Sequence, residues 1–559
     1  MRYWYFYLAF LMISCGAVTS DQTNIPNSWP TKRNLMETFR DADTVFIIYA
    51  KENYAVADVI VNGVAAMNVP DDRFKVMAVR DDKVTEQQIK NHPIYVVGTK
   101  ANLVLNRIND NLPIRFIENG FEFDNKTYKN KTDVFKISFY PNLYNPKMPL
   151  TVIAGNNEDE LVKFIQKQFD ESWGYFYWDN WGYQIYDDGQ RAVLGNFSSD
   201  STMLWTLDKK LHWDFDYSGK EIKSTAHLKY INHGQAAVDD IINTFDATAQ
   251  QTITNLENFT GKTLNTNITY HIYKSAELKA LMLNEASQSK IDFTTNSIHS
   301  VINNEFNGKY DETLAMLVAR NLLGEPSIMA LEEGLAVVST ANWQNTNYHY
   351  LAGNLAAGDA LPSLKNLLSN DGFEGESDYL AHIAAASFVD FLIQQKGKDN
   401  FLLNYTKWQQ NDSYLLGLEN DWHQYVIKTA AASPVASIKS TAKKQNFLKG
   451  FNYAHEGYQI YNGYMGSESD NSIAKLKTLG VNSLTLIPYS GFQSLTKPYP
   501  FHYTNGAGGE NDISIIHAAY TAHQNGMSIM LKPQLWSWLG WTGDITMQNE
   551  ADWNLFFEY

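Results

Sequence analysis

The chain has 559 residues, 44% of them hydrophobic and 14% aromatic, and a formal net charge of −16. That length and apolar content suffice for several cores, and three domains are expected. The acidic balance excludes nucleic acid as a partner, since that needs a basic surface. The single cysteine excludes an internal disulfide. Aromatic faces stack on sugar rings, so 33 Tyr and 14 Trp suit a carbohydrate protein, although Tyr-rich cores are an equally ordinary cause.

At the N-terminus Arg2 precedes an apolar run, Tyr3 to Ile13, too short for a membrane span. Cys15 stands where the run ends. Residues 1–20 resemble a bacterial lipoprotein signal, which implies that Cys15 is lipidated and anchors the chain to a membrane in the cell envelope. Met12 departs from the Leu usual three residues before the cysteine. The alternative is an ordinary secretory signal, removed together with its cysteine. Asp21 to Ser28 reads as a polar tether.

Residues 30–155 read as a small Rossmann-like α/β domain. Thr44–Ala50, Pro93–Gly98 and Leu150–Ala154 are apolar strands, with helices opening after Thr99 and at Asn157. No G-x-G-x-x-G follows a strand, so no dinucleotide is indicated, and no other cofactor is expected. The Gly98-Thr99 and Gly155-Asn156 turns could hold an anion or simply cap their helices. Residues 156–215 form an aromatic-rich β connection. Within it, Asp188-Gly189 predicts the turn of a hairpin between Tyr183–Tyr186 and Arg191–Leu194. Trp173, Trp178 and Trp181 there either form a sugar platform or cover a sheet face.

Residues 216–427 read as a helix-rich domain with one clear strand, Ile268–Ile272. The segments Ala226–Tyr230, Ile298–Ile302, Asp311–Ala315, Leu331–Ala336 and the helix Tyr379–Gln395 resemble, in order, a gluzincin metallopeptidase domain. In that family H-E-x-x-H supplies two zinc-binding histidines and a general base, and a later Glu is the third ligand. Here Asp311 replaces the first histidine and Ala315 the second. Glu312 in the base position and Glu333 in the third-ligand position remain, so a peptidase-like domain without metal is expected. His227 and His299 read as structural.

Residues 428–445, rich in Ala, Ser and Lys, read as a linker. In residues 446–559 two helix–glycine–strand units follow one another. The first has helix Asn471–Thr478, Gly480 and strand Ser483–Pro488; the second has helix Asp512–Gln524, Gly526 and strand Met527–Pro533. The motifs Gly450-Phe451-Asn452, Leu476–Asn482, Ala522–Met527, Leu531-Lys532-Pro533 and Trp541-x-Gly543 resemble the start of a glycoside hydrolase TIM barrel, most like the family 113 endo-β-1,4-mannanases.

The resemblance implies a polysaccharide partner, β-mannan, and a catalytic pair of carboxylates at the ends of the fourth and seventh strands. Residues 446–559 are less than half of the about 250 residues of such a barrel. The expected acid/base and nucleophile glutamates therefore fall outside the sequence. Asp512 reads as a helix N-cap. In a completed barrel Lys532 would bond sugar hydroxyls, and Trp536 and Trp541 would stack on sugar rings. Tyr489 and Gln493 would line the cleft, with Asn452 and His455 at the mouth of the first strand. The fold class is thus multidomain α/β and α+β, ending in an incomplete (β/α) barrel. The function expected is a cell-envelope, lipid-anchored or secreted, mannanase-like carbohydrate-active protein. The alternative is a non-catalytic surface lipoprotein using a dead peptidase-like domain for binding. An active zinc peptidase is disfavoured by Ala315.

Overall fold

The computed structural model describes residues 29–67, 75–171, 181–198, 205–234, 238, 241–306, 312–343, 346–432, 447–454, 460–503 and 508–559. Cys15, Trp173, Trp178, Asp311 and His455 lie outside them, as does most of the 428–445 linker. The chain divides into two units, Met1–Asp214 and Phe215–Tyr559. No described helix is long and apolar enough to cross a membrane.

In the first unit, β1 (Thr44–Tyr49), β2 (Lys75–Arg80) and β3 (Ile94–Gly98) precede a small meander, β4 (Arg115–Phe116), β5 (Phe121–Phe123) and β6 (Lys126–Tyr128). There follow β7 (Val134–Asn142), β8 (Asn145–Gly155), β9 (Tyr183–Asp187), β10 (Gln190–Ser198) and β11 (Thr206–Asp214). β1 and β3 are runs of Val, Ile, Tyr and Phe buried along nearly their whole length, as strands covered on both faces must be. Eight strands make one sheet in the order β11-β10-β9-β7-β8-β3-β1-β2. Its β2, β1, β3 and β8 are parallel. The rest is antiparallel.

The Rossmann-like sheet read from the sequence is therefore the parallel half of a larger mixed sheet, and the strands of 156–215 continue it. Local sequence could not show this, because pairing of β9 with β7 joins residues about fifty positions apart. The β9–β10 turn holds Asp188 and Gly189 at φ 47° and 73°, the left-handed pair that a two-residue hairpin needs.

The donors at the two candidate anion turns are already engaged. Thr99 N donates to Asn53 Oδ1 at 3.0 Å, and Asn102 Oδ1 caps Val104 N and Leu105 N. Asn157 Oδ1 accepts from Asp159 N and Glu160 N. The helix Tyr54–Met67 presents Ala55 N and Val56 N to the Glu158 carboxylate, so its own anion position is filled from within. Trp181 is buried edge-on against Trp213, with centroids 5.5 Å apart, which makes it a sheet cover and not a sugar platform.

The second unit opens with β12 (Lys220–Ser224), β13 (Leu228–His233), β14 (Ile268–Tyr273), β15 (Ser289–Asp292) and β16 (Ser297–Val301). They form a sheet in the order β12-β13-β14-β16-β15, parallel at its centre. Only β14 stands out in the sequence, since β16 (SIHSV) is short and half polar. One face of the sheet, with Tyr230, Tyr270, Ile272 and Ile298, packs on the helices Ile242–Thr260 and Glu312–Leu323. Beyond them the helices Met329–Thr340 and Asp378–Lys396 cross closely. A Cβ on Gly334 would stand 2.5 Å from the Ala385 carbonyl oxygen.

The C-terminal segment contains β17 (Gly450–Tyr453), β18 (Ser483–Leu486), β19 (Tyr489–Gly491), β20 (His502–Tyr503), β21 (Ser528–Leu531) and β22 (Gln534–Trp536). β17, β18 and β21 are adjacent and parallel, joined by the helices Ser467–Thr478 and Asp512–Gln524. Gly480 and Gly526 follow these helices at φ 81° and 75°, where a side chain would be strained. The remaining strands make a second sheet, β20-β19-β22. Among the described residues these strands do not close into a barrel. The first helix starts four residues earlier than the sequence suggests, at Ser467. Both parallel strands stop before their prolines, because Pro488 and Pro533 cannot donate to a ladder.

Gly334→Ala is expected to lower the stability of the folded chain by about 1–3 kcal/mol through overpacking, read as a reduced urea midpoint; an unchanged midpoint would show that the two helices can part.

Candidate functional site

The carboxyl ends of β18 and β21 turn directly into the second small sheet. Lys532 N donates to Leu486 O at 2.9 Å and Gln534 N to Pro488 O at 2.8 Å, so the two turns are stitched side by side. β19 and β22 then run parallel, with Tyr489 opposite Gln534 and Gly491 opposite Trp536. Trp536 and Trp538 meet with centroids 3.7 Å apart at 71°. Trp538 and Trp541 are 62% and 74% exposed. The Trp541 ring lies over Gly543, where a Cβ would stand 2.2 Å from it. Thr546 N donates to Leu495 O at 2.8 Å and ties this loop to the one after β19.

Tyr489, Gln493, Lys532, Trp536 and Trp541 thus share one end of the parallel strands. Asn452 is exposed on the edge strand β17, level with Thr485 and on the sheet face opposite the packed Leu484 and Leu486. Trp538 escaped the sequence reading; its signal is the W-x-W spacing from Trp536 on an emerging strand. Asn511, and not Asp512, is the N-cap of the helix Asp512–Gln524, because its side chain accepts from Ser514 N. Burial first, and then the Asp378 carboxylate, push Asp512 up from the usual carboxylate range.

Asp378 also bears on the peptidase-like residues. Glu312 opens the helix Glu312–Leu323, and Ala315 is fully buried in the core on its next turn. Glu332 is locked to Arg320, whose Nε donates at 2.7 Å, while the guanidinium stacks 3.5 Å above the Phe293 ring. Glu333 points the other way, with Oε2 3.8 Å from His382 Nδ1, an atom that is buried and makes no hydrogen bond.

Burial, then Glu332 and Asp378, push the Glu333 carboxyl up to about 7. Burial likewise lowers His382, with Asp378 opposing it. Among the described residues no group of three His, Cys, Asp or Glu is arranged to hold a metal ion. Zinc does not fit: an alanine packed into the core occupies the second ligand position, and zinc prefers imidazole. His382 and Asp378 are absent from the sequence reading, since only folding brings them to Glu333, 45 to 49 residues away in the chain.

A second cluster lies on the sheet face away from the Tyr230 core. His271 and His299 are register partners on β14 and β16, stacked at 4.5 Å and 9°. His233 Nε2 is 2.9 Å from His271 Nδ1, and His299 Nδ1 is 2.8 Å from the Tyr273 hydroxyl. His233 Nδ1 is buried without a partner. Burial lowers all three, to about 4 for His271 and about 3 for His299. Stacked, neutral rings in a packed layer make His299 structural, as the sequence suggests.

Scans against protein-family models and curated proteins found no match. Among solved structures, an aminopeptidase N family protein from Idiomarina loihiensis is similar at 10% identity and a TM-score of 0.21, over 43% of this chain. The chain spans about half of that protein, 48% of its length.

Two predictions follow from the charges. Glu333 has a folded pKa raised above the unfolded value near 4.3, so the folded state binds the extra proton and stability falls as pH rises from about 4.5 through about 7. Glu333→Gln is therefore expected to raise stability by roughly 1–3 kcal/mol at pH 8 and little at pH 4.5. Denaturant melts at both values check it. The histidines behave oppositely: unfolded rings take protons below about 6.5, folded His271 and His299 only near 4 and 3, so stability is lost as pH falls through that window. His299→Gln should flatten the fall in melting temperature between pH 6.5 and 4.5; an unaltered slope removes the stack as its cause.

Proposed function

We propose that the C-terminal βα units contact polysaccharide, as part of a cell-envelope carbohydrate-active protein. The observation that carries this reading is the aromatic cluster of half-buried Trp536 and exposed Trp538 and Trp541, beside the β19–β22 pairing at the carboxyl ends of parallel strands. Monomeric proteins rarely leave such apolar surface in water without a use for it. Flat rings fixed in advance lose little entropy when a sugar stacks on them. Lys532, Gln493 and Asn452, all exposed, would supply hydrogen bonds to hydroxyls, with His455 beside Asn452 in sequence. Tyr489, 37% exposed, borders the surface.

Hydrolysis of β-mannan is the finer form of this reading. It needs two carboxylates flanking the bond to be cut. Glu510 is buried just before the helix Asp512–Gln524 and Asp512 opens it, and neither is assigned that role. A second reading, a non-catalytic surface lipoprotein, is supported by the core position of Ala315, which leaves no imidazole where the second zinc ligand would stand.

Retardation in native gels cast with soluble β-mannan tests the proposal. The full chain should be retarded, and Trp538→Ala and Trp541→Ala should each weaken binding about tenfold, or ~1.4 kcal/mol. Equal mobility with and without polysaccharide, in β-mannan and in β-linked glucans alike, would sink it.

A further inference from the structure

Both ring nitrogens of His517 face carboxylates. Nδ1 lies 3.0 Å from each oxygen of Glu305, and Nε2 lies 3.0 Å from Asp470 Oδ1. An ionised carboxylate only accepts, so both nitrogens must donate, and the form that satisfies both is the imidazolium. The side chains of His517 and Glu305 are only 11% and 7% exposed. A charge so placed is tolerated only where its partners and hydrogen bonds are complete.

The three groups come from distant parts of the second unit. Glu305 belongs to the turn after β16, Asp470 to the helix Ser467–Thr478 and His517 to the helix Asp512–Gln524. Thr521 Oγ1 also donates to Asp470, at 2.8 Å. Glu277, on the helix Ala276–Leu283, accepts from Ser467 Oγ at 3.3 Å and also faces the cluster. Weaker contacts rim the same junction. Lys497 pairs with Asp359 at 3.1 Å, and Glu558 accepts from Tyr350 at 2.8 Å. The Tyr559 hydroxyl donates to Asn354 O at 3.1 Å while its ring meets Tyr379 edge-on. Exposed pairs of this kind contribute little, which leaves the buried His517–Glu305 pair as the principal charged fastening.

We propose that His517, Glu305 and Asp470 form a charge latch that seats residues 447–559 on the rest of the second unit, through the turn after β16. Burial disfavours the charge on His517, but its hydrogen bonds to Asp470 and Glu305 outweigh this and hold its pKa up at about 10. The folded value lies above the unfolded one, so the latch is at full strength below about pH 6.5 and is lost as pH rises through about 10.

A specific protease sequence inserted between Pro434 and Lys444 of the full chain allows it to be cut after folding. At pH 7 and micromolar concentration the 447–559 piece should co-elute with the remainder on size exclusion. Retention should fall as pH is raised from 8 to 10.5. His517→Gln should weaken retention at least about tenfold at pH 7. His517→Arg, which stays charged, should restore much of it and remove the alkaline loss. Circular dichroism before cutting selects variants that fold, and Glu305→Gln replaces His517→Gln if the latter does not. Separation of the wild-type pieces at pH 7, or wild-type retention by the neutral variants, would overturn the latch.

Discussion

The second unit depends on the close crossing of the helices Met329–Thr340 and Asp378–Lys396 at Gly334. With no Cβ there, the Ala385 carbonyl approaches to a distance that any side chain would forbid. Close-packed interiors leave no room to accommodate even one methyl group. Much else is positioned by this contact. Glu333 precedes the glycine and His382 stands one turn before Ala385, so the crossing sets these two side chains against each other. Deeper in the same helix Ser387 accepts from the fully buried Trp422, and at its start Tyr379 meets the C-terminal Tyr559.

Buried charge in this unit falls into two kinds. Glu332 with Arg320, and His517 with Glu305 and Asp470, are paired through short, well-directed hydrogen bonds and can remain ionised away from water. Glu333 and the His233–His271–His299 group have no opposite charge at hydrogen-bond distance. Burial therefore drives each toward its neutral form, upward for the acid and downward for the bases. The two neighbouring glutamates divide along this line: Glu332 is absorbed into an ion pair and Glu333 is left as a high-pKa carboxyl beside a neutral imidazole. Neither arrangement requires a metal.

The aromatic surface of the C-terminal units is exposed yet ordered. The β19–β22 ladder and the Thr546 to Leu495 bond fix the backbone that carries these rings.

Local order was fixed by local chemistry. Thr44–Tyr49 and Ile94–Gly98 had to be buried strands because of their unbroken apolar runs, Asp188-Gly189 had to turn a hairpin, and Gly480 and Gly526 had to end helices. The helix Asp512–Gln524 and the cluster Tyr489, Gln493, Lys532, Trp536 and Trp541 were legible because short-range pattern places them at strand ends. The tertiary structure alone decided the rest. It joined β9–β11 to the first sheet, brought His382 and Asp378 to Glu333, stacked three histidines from three strands and set His517 between two acids. None of these has a periodic signal, because each depends on pairing between residues tens to hundreds of positions apart, and a sequence records such proximity only through the fold it produces.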